Sequence, residues 1–174
     1  SNNFKFSKFV AKLKSMNKIK LALLDMNNNH ANQGMKNIRE ISQQFKETSA
    51  ENVEITVFDV RYKNEMPNVE EFDIFISSGG PGNPHREGYE WEQKFADFLD
   101  EVWEHNKNSE QKKFLFLICH SFQLASIHWK LGNICKRKSY SFGVMPIHKT
   151  YQGENDFLLK NLPEPFYAVD SRAY

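Results

Sequence analysis

Cysteine is scarce in this chain: two residues, Cys119 and Cys135, among 174. They have neither the paired spacing of a zinc site nor the density of a disulfide-stapled secreted scaffold, which points to a reducing compartment, the cytoplasm. An excess of charge of one sign is also lacking. With 23 Lys and Arg against 22 Asp and Glu, the formal charge is +1. No global field therefore recruits nucleic acid or an anionic membrane, and a small neutral ligand fits better. Glycine (8) and proline (6) are too few for a collagenous chain, whereas 40% hydrophobic residues and 15 Phe suit one globular core. FKFSKFVAKLK, near the N-terminus, contains no continuous apolar stretch because lysines interrupt it every few residues, so this segment does not read as an export signal. Residues 1–17 read as a mobile leader or extension, and residues 18–174 as one domain. His30, His105, His128 and His148 show no ligand spacing with other donors, so neither a metal nor a cofactor is expected.

What is present is an alternation of two periodicities. Ile19 to Leu24 is a compact apolar run closed by the Asn-rich loop Asp25 to Asn32, and it reads as a buried strand. Met35, Ile38, Ile41 and Phe45 then recur at helical spacing. Val53 to Val60 and Phe72 to Ser77 read as strands, the second ending in Gly79-Gly80-Pro81-Gly82-Asn83-Pro84, which continues no regular element. Trp91, Phe95, Phe98, Leu99 and Val102 form the stripe of a helix packed on a sheet. Phe114 to Ile118 is apolar throughout, as in a strand covered on both faces. Leu124, Ala125, His128 and Leu131 continue as a helix that Gly132-Asn133 stops, and further strands are expected near Phe142 to Ile147 and Phe166 to Val169. Strands alternating with helices imply an α/β fold, a doubly wound, mostly parallel sheet with helices on both faces. In such sheets ligands bind beyond the carboxyl ends of the strands. Three unusual loops fall there: Asp25 to Asn32, the Gly-Gly-Pro-Gly turn, and the turn carrying Cys119.

A cysteine on a strand-to-helix turn is exposed by the bend, lies at the positive end of the helix dipole and is flanked by open backbone N–H donors. The arrangement favours a thiolate and a developing oxyanion. Consecutive glycines in the other loop let a second backbone N–H approach the same ligand. A lone cysteine in an apolar run is otherwise an inert core thiol, so the pairing of the two loops carries the inference.

SSGGPGNP followed by FLFLICHSFQLA resembles the class I glutamine amidotransferase domain, with its Gly-Gly-Pro-Gly loop and Gly-Ile-Cys-x-Gly-x-Gln elbow. Phe142-Gly143 and Phe166 to Tyr174 extend the resemblance over most of the chain after Lys18. The resemblance implies a flavodoxin-like fold in which Cys119 attacks the side-chain amide of glutamine, giving a thioester and ammonia. It places the oxyanion against the backbone N–H groups of Gly80 and His120, and it assigns Gly82 and Gln123 to the glutamine pocket. The ammonia would pass to a synthase subunit or domain, GMP synthase being one family possibility. Leu117 and Ser121 replace two glycines of the family elbow, Ser121 in a position to narrow the pocket, and Arg172 stands where the family has histidine. The family's catalytic His-Pro-Glu does not occur in these residues, so the resemblance implies either that the natural chain continues past Tyr174 to supply those groups or that this form is inactive. His85-Arg86-Glu87 copies the spacing but reads as an exposed helix start.

Ile118-Cys119-His120 also resembles the elbow of the DJ-1/PfpI relatives, which implies a cysteine hydrolase or an oxidative-stress sensor. That family follows the histidine with Gly-Pro, whereas this chain has Ser121-Phe122. A degenerate amidotransferase fold used as a binding or regulatory protein is the non-enzymatic alternative. Cys135 reads as a structural thiol.

Overall fold

The computed structural model describes residues 18–85 and 87–174, so the leader expected at 1–17 lies outside the described residues. The chain forms two compact units, the second being Ile134–Tyr174.

In the first unit, the buried Leu21 to Leu24 run is apolar on both faces, and this places β1 (Lys18–Asp25) inside a sheet. β2 (Asn52–Asp59) pairs with it in parallel from Lys18↔Asn52 to Asp25↔Asp59. β3 (Ile74–Ser77) lies on its other side and β4 (Phe114–Leu117) beyond, giving a four-stranded parallel sheet of order β2-β1-β3-β4. One face is covered by α1 (Gln33–Thr48), which starts where the Asn32 side chain accepts the N–H groups of Gly34 (2.7 Å) and Met35 (3.3 Å). Met35 and Ile38 pack there on Leu21, Leu23, Ile55 and Ile76. The expected stripe departs from the structure at Ile41, which is 65% exposed, while Ser42 is buried. Positions 35, 38 and 42 share the inner face, and Ile41 sits about 100° round from it.

The other face carries α2 (Glu90–Asn108) and α3 (His120–His128). Trp91, Phe95, Phe98, Leu99 and Val102 are all buried as their spacing demands, each large side chain contributing about 1.5–3 kcal/mol. Phe98 meets Phe75 of β3 edge-on at 5.1 Å between centroids. α3 ends at His128 rather than running to Gly132, because Lys130 takes a left-handed φ of 55°. Leu131 is consequently exposed. β4 also departs from expectation. Leu115 and Leu117 pack on the α2 side, but Phe114 and Phe116 are 66% and 59% exposed, since β4 is the sheet's edge and α1 packs on β1 and β2.

In the second unit, β5 (Ser141–Ile147) and β6 (Phe166–Arg172) form an antiparallel pair from Ser141↔Arg172 to Ile147↔Phe166, with α4 (Tyr151–Glu154) between them in sequence. Asp170 fixes one end of this ribbon. It receives Arg172 Nε, Ser141 Oγ (2.8 Å) and Arg137 Nη1 (3.2 Å), and these bonds, Arg172 first, hold its carboxyl well below the usual carboxylate range. No helix among the described residues is long and apolar enough to cross a membrane.

Candidate active site

Cys119 occupies the turn between β4 and α3 with φ 54° and ψ −107°. Side chains rarely adopt this conformation, and it costs about 1–3 kcal/mol unless the surroundings enforce it. The enforcement is visible residue by residue. Ile118 N–H, continuing the ladder, is shared between Ser77 O (3.0 Å) and Ser121 Oγ (3.0 Å). The Ser121 hydroxyl lies 3.2 Å from Ser77 O and 3.1 Å from Ile118 O, and Gln123 N–H closes the first helical turn on Cys119 O (3.0 Å). The thiol is left exposed. Ser121 itself is fully buried under the turn, so its hydroxyl braces the elbow instead of narrowing a pocket.

The second loop starts where β3 ends. Ser78 N–H bonds Leu24 O (3.0 Å), and its hydroxyl accepts Met26 N–H (2.9 Å) and donates to Gly79 O (2.8 Å), coupling the loop after β1 to the Gly-Gly-Pro-Gly segment. Asn27, buried beside it, reaches the same hydroxyl and also Asp25 Oδ1 (2.9 Å). The two loops meet at Gly79: a Cβ there would stand 3.2 Å from Cys119 Cβ and 3.8 Å from its Sγ. At Gly80 a Cβ would fall 2.3 Å from Met26 O, an impossible approach against backbone, so the position admits glycine alone. Gly82 has a φ of 119°, with the Arg61 guanidinium 3.6 Å from where a Cβ would lie.

His120, the first residue of α3, is 2% exposed, and its Nε2 has no hydrogen-bond partner among the described residues. Its ring lies 6.4 Å from that of Trp91. Burial first, then the Arg61 charge, push its pKa down to about 4 against the opposing pull of Glu92. The ring is therefore neutral near pH 7. Gln123 is half-buried one turn further on.

His85 and Glu87 lie in the loop before α2 rather than starting a helix, and Arg86 is outside the described residues. The buried Glu92 carboxylate organises that loop, accepting the N–H groups of Glu87 (3.0 Å), Gly88 (2.8 Å) and Tyr89 (3.0 Å). Arg172 is engaged with Asp170 in the second unit. Cys135 is an exposed free thiol and packs in no core. No group of three His, Cys, Asp or Glu side chains that could hold a metal occurs among the described residues.

Sequence reasoning missed the close approach of Gly79 to Cys119, the braces Ser78 and Ser121, and Arg61, Trp91 and Glu92. The serines adjoin the two motifs and are the polar residues able to bond a turn's backbone. Arg61 offers one signal, a cation just past a strand at the ligand-binding edge, but Lys63 shares it.

No family model and no curated protein matches the sequence. Solved structures do match in fold. A glutamine amidotransferase from Thermotoga maritima superposes with a TM-score of 0.66 at 18% identity, covering 89% of this chain and 60% of that one. The crystal structure of SMU.1228c gives 0.65 at 13% identity, covering 90% and 61%. The chain thus spans about three fifths of the length of these structures, and its α/β fold is glutamine amidotransferase-like.

Proposed function

We propose that this chain carries the glutaminase chemistry of an amidotransferase. The observation that carries the reading is the strained, exposed Cys119 set beside Gly79, where a Cβ would stand 3.8 Å from its Sγ, at the carboxyl edge of a parallel sheet. In the reaction the Cys119 thiolate attacks the carboxamide carbon of glutamine, forming a C–S bond. The carbonyl oxygen becomes an oxyanion received by the N–H groups of Gly80 and His120. Collapse breaks the C–N bond, the nitrogen takes up a proton and leaves as ammonia, and water hydrolyses the thioester. Gly82 and Gln123 shape the pocket for the glutamine backbone. The ammonia is passed to a synthase domain or subunit.

The buried, neutral ring of His120 supports use of its N–H rather than its imidazole, which favours this reading over a cysteine–histidine hydrolase. The test is covalent labelling with a diazoketone analogue of glutamine, followed by peptide mapping. Cys119 should be modified saturably, glutamine should protect it, and Cys119→Ala should take up no label while Cys135 stays unmodified. Equal labelling of Cys135, or no protection by glutamine, would overturn the reading.

A further inference from the structure

We propose that Arg61 is the positioning residue of this site, holding the Gly-Gly-Pro-Gly loop at a fixed height over Cys119 through a guanidinium clamped between two carbonyls and an indole. This deepens the glutaminase reading and rests on it.

Arg61 follows β2, where Val60 N–H is tied to Asp25 O at 3.1 Å, so its backbone moves with the sheet. From that anchor the guanidinium reaches three other segments. Nη1 donates to Pro81 O and to Met26 O, the latter at 3.3 Å. Its carbon sits 4.7 Å from the centroid of the Trp91 ring at the start of α2. The Met26 carbonyl is also the one against which Gly80 packs, so a single oxygen is held between the clamp and the loop. Pro81 and Gly82 are exposed and belong to no helix or strand, and the bond from Arg61 ties that stretch to the sheet. The Trp91 ring also lies 6.4 Å from the His120 ring, tilted by 48°. Both oxyanion donors are thereby referenced to one rigid group.

The chemistry requires arginine. Its Nη1 donates to both carbonyls while the delocalised guanidinium lies over an aromatic ring, a combination that the compact, strongly hydrated lysine ammonium does not match. Glu87 and Glu92 supply opposing charge that keeps the half-buried cation in place.

The experiment uses the full chain and follows Cys119 modification by the diazoketone analogue of glutamine, with iodoacetamide as a probe indifferent to the loop. Arg61→Met, which retains a long apolar stem over Trp91, should lower the limiting rate of modification about tenfold. The half-saturating concentration and the iodoacetamide rate should both stay within twofold. Arg61→Lys should resemble Arg61→Met. It also carries the test if the methionine variant fails to fold. Wild-type limiting rates in either folded variant, or a change in half-saturation alone, would overturn the proposal. If the wild-type chain is not labelled, the glutaminase reading fails. The clamp is then judged by amide hydrogen exchange over residues 77–84: tenfold faster exchange in Arg61→Met supports it, and unchanged exchange overturns it.

Discussion

Replacing His120 by glutamine tests the burial of the first residue of α3 through the pH dependence of stability. In the unfolded chain the imidazole takes up a proton near its ordinary pKa of 6.5, whereas in the folded chain it does so only near 4. Between those values the unfolded state binds more protons, so folding stability is complete above pH 6.5, falls as the pH drops toward 4, and falls no further below it on this account. At 1.36 kcal/mol per pH unit the interval is worth about 3 kcal/mol. The measurement is urea unfolding of wild type and His120→Gln at pH 7, 6, 5 and 4. The difference in unfolding free energy between the two should shrink or reverse by about 3 kcal/mol across the series. Asp170 and the other carboxylates remote from position 120 contribute equally to both proteins and cancel. Parallel pH curves would refute the claim that the ring is buried neutral, and with it the assignment of a backbone rather than side-chain role to His120.

Three further outcomes follow from the same geometry. The left-handed φ of Cys119 makes Cys119→Gly more stable than Cys119→Ala by about 1 kcal/mol in urea unfolding, strain relief outweighing the extra chain entropy of glycine. Equal stability would mean that the turn is relaxed. Gly80→Ala places a methyl on the Met26 carbonyl, so it should cost about 3 kcal/mol and abolish labelling of Cys119 by the glutamine analogue; unchanged labelling would show that the loop moves freely. Glu92→Gln weakens charge-assisted bonds to three backbone N–H groups and should cost about 2 kcal/mol, with faster amide exchange confined to residues 87–89.

Much of the fold was legible because its signals are local. The four apolar residues Leu21 to Leu24 mark an inner strand wherever they occur, and the stripe from Trp91 to Val102 can bury itself only as a helix on a sheet. Residue order carries no information on which strand ends the sheet, so β4 read as an inner strand although Phe114 and Phe116 face solvent. Ile41 failed for a different reason. Serine scores as polar, yet Ser42 fits the inner face of α1. Around Cys119 and Gly80, the strand-to-helix turn and the close backbone approach were readable because an apolar run ends at each loop and consecutive glycines admit such an approach. The supports were not. Ser121 bonds back to Ser77 and Arg61 to Pro81, partners 44 and 20 positions away, and nothing in either residue type announces so distant a carbonyl.

The Met26 carbonyl, pressed between Gly80 and the Arg61 guanidinium, has a consequence for how this site tolerates change over generations. What the neighbours use at position 26 is the peptide oxygen, which every amino acid supplies, while the side chain merely fills space in the core. Position 26 is therefore free to drift among apolar residues of similar bulk, but position 80 has no substitute at all. In a collection of natural or selected variants the invariant partner of this pair would be visible and the variable one overlooked, although both sides of the contact matter equally to where the thiol's neighbouring loop comes to rest.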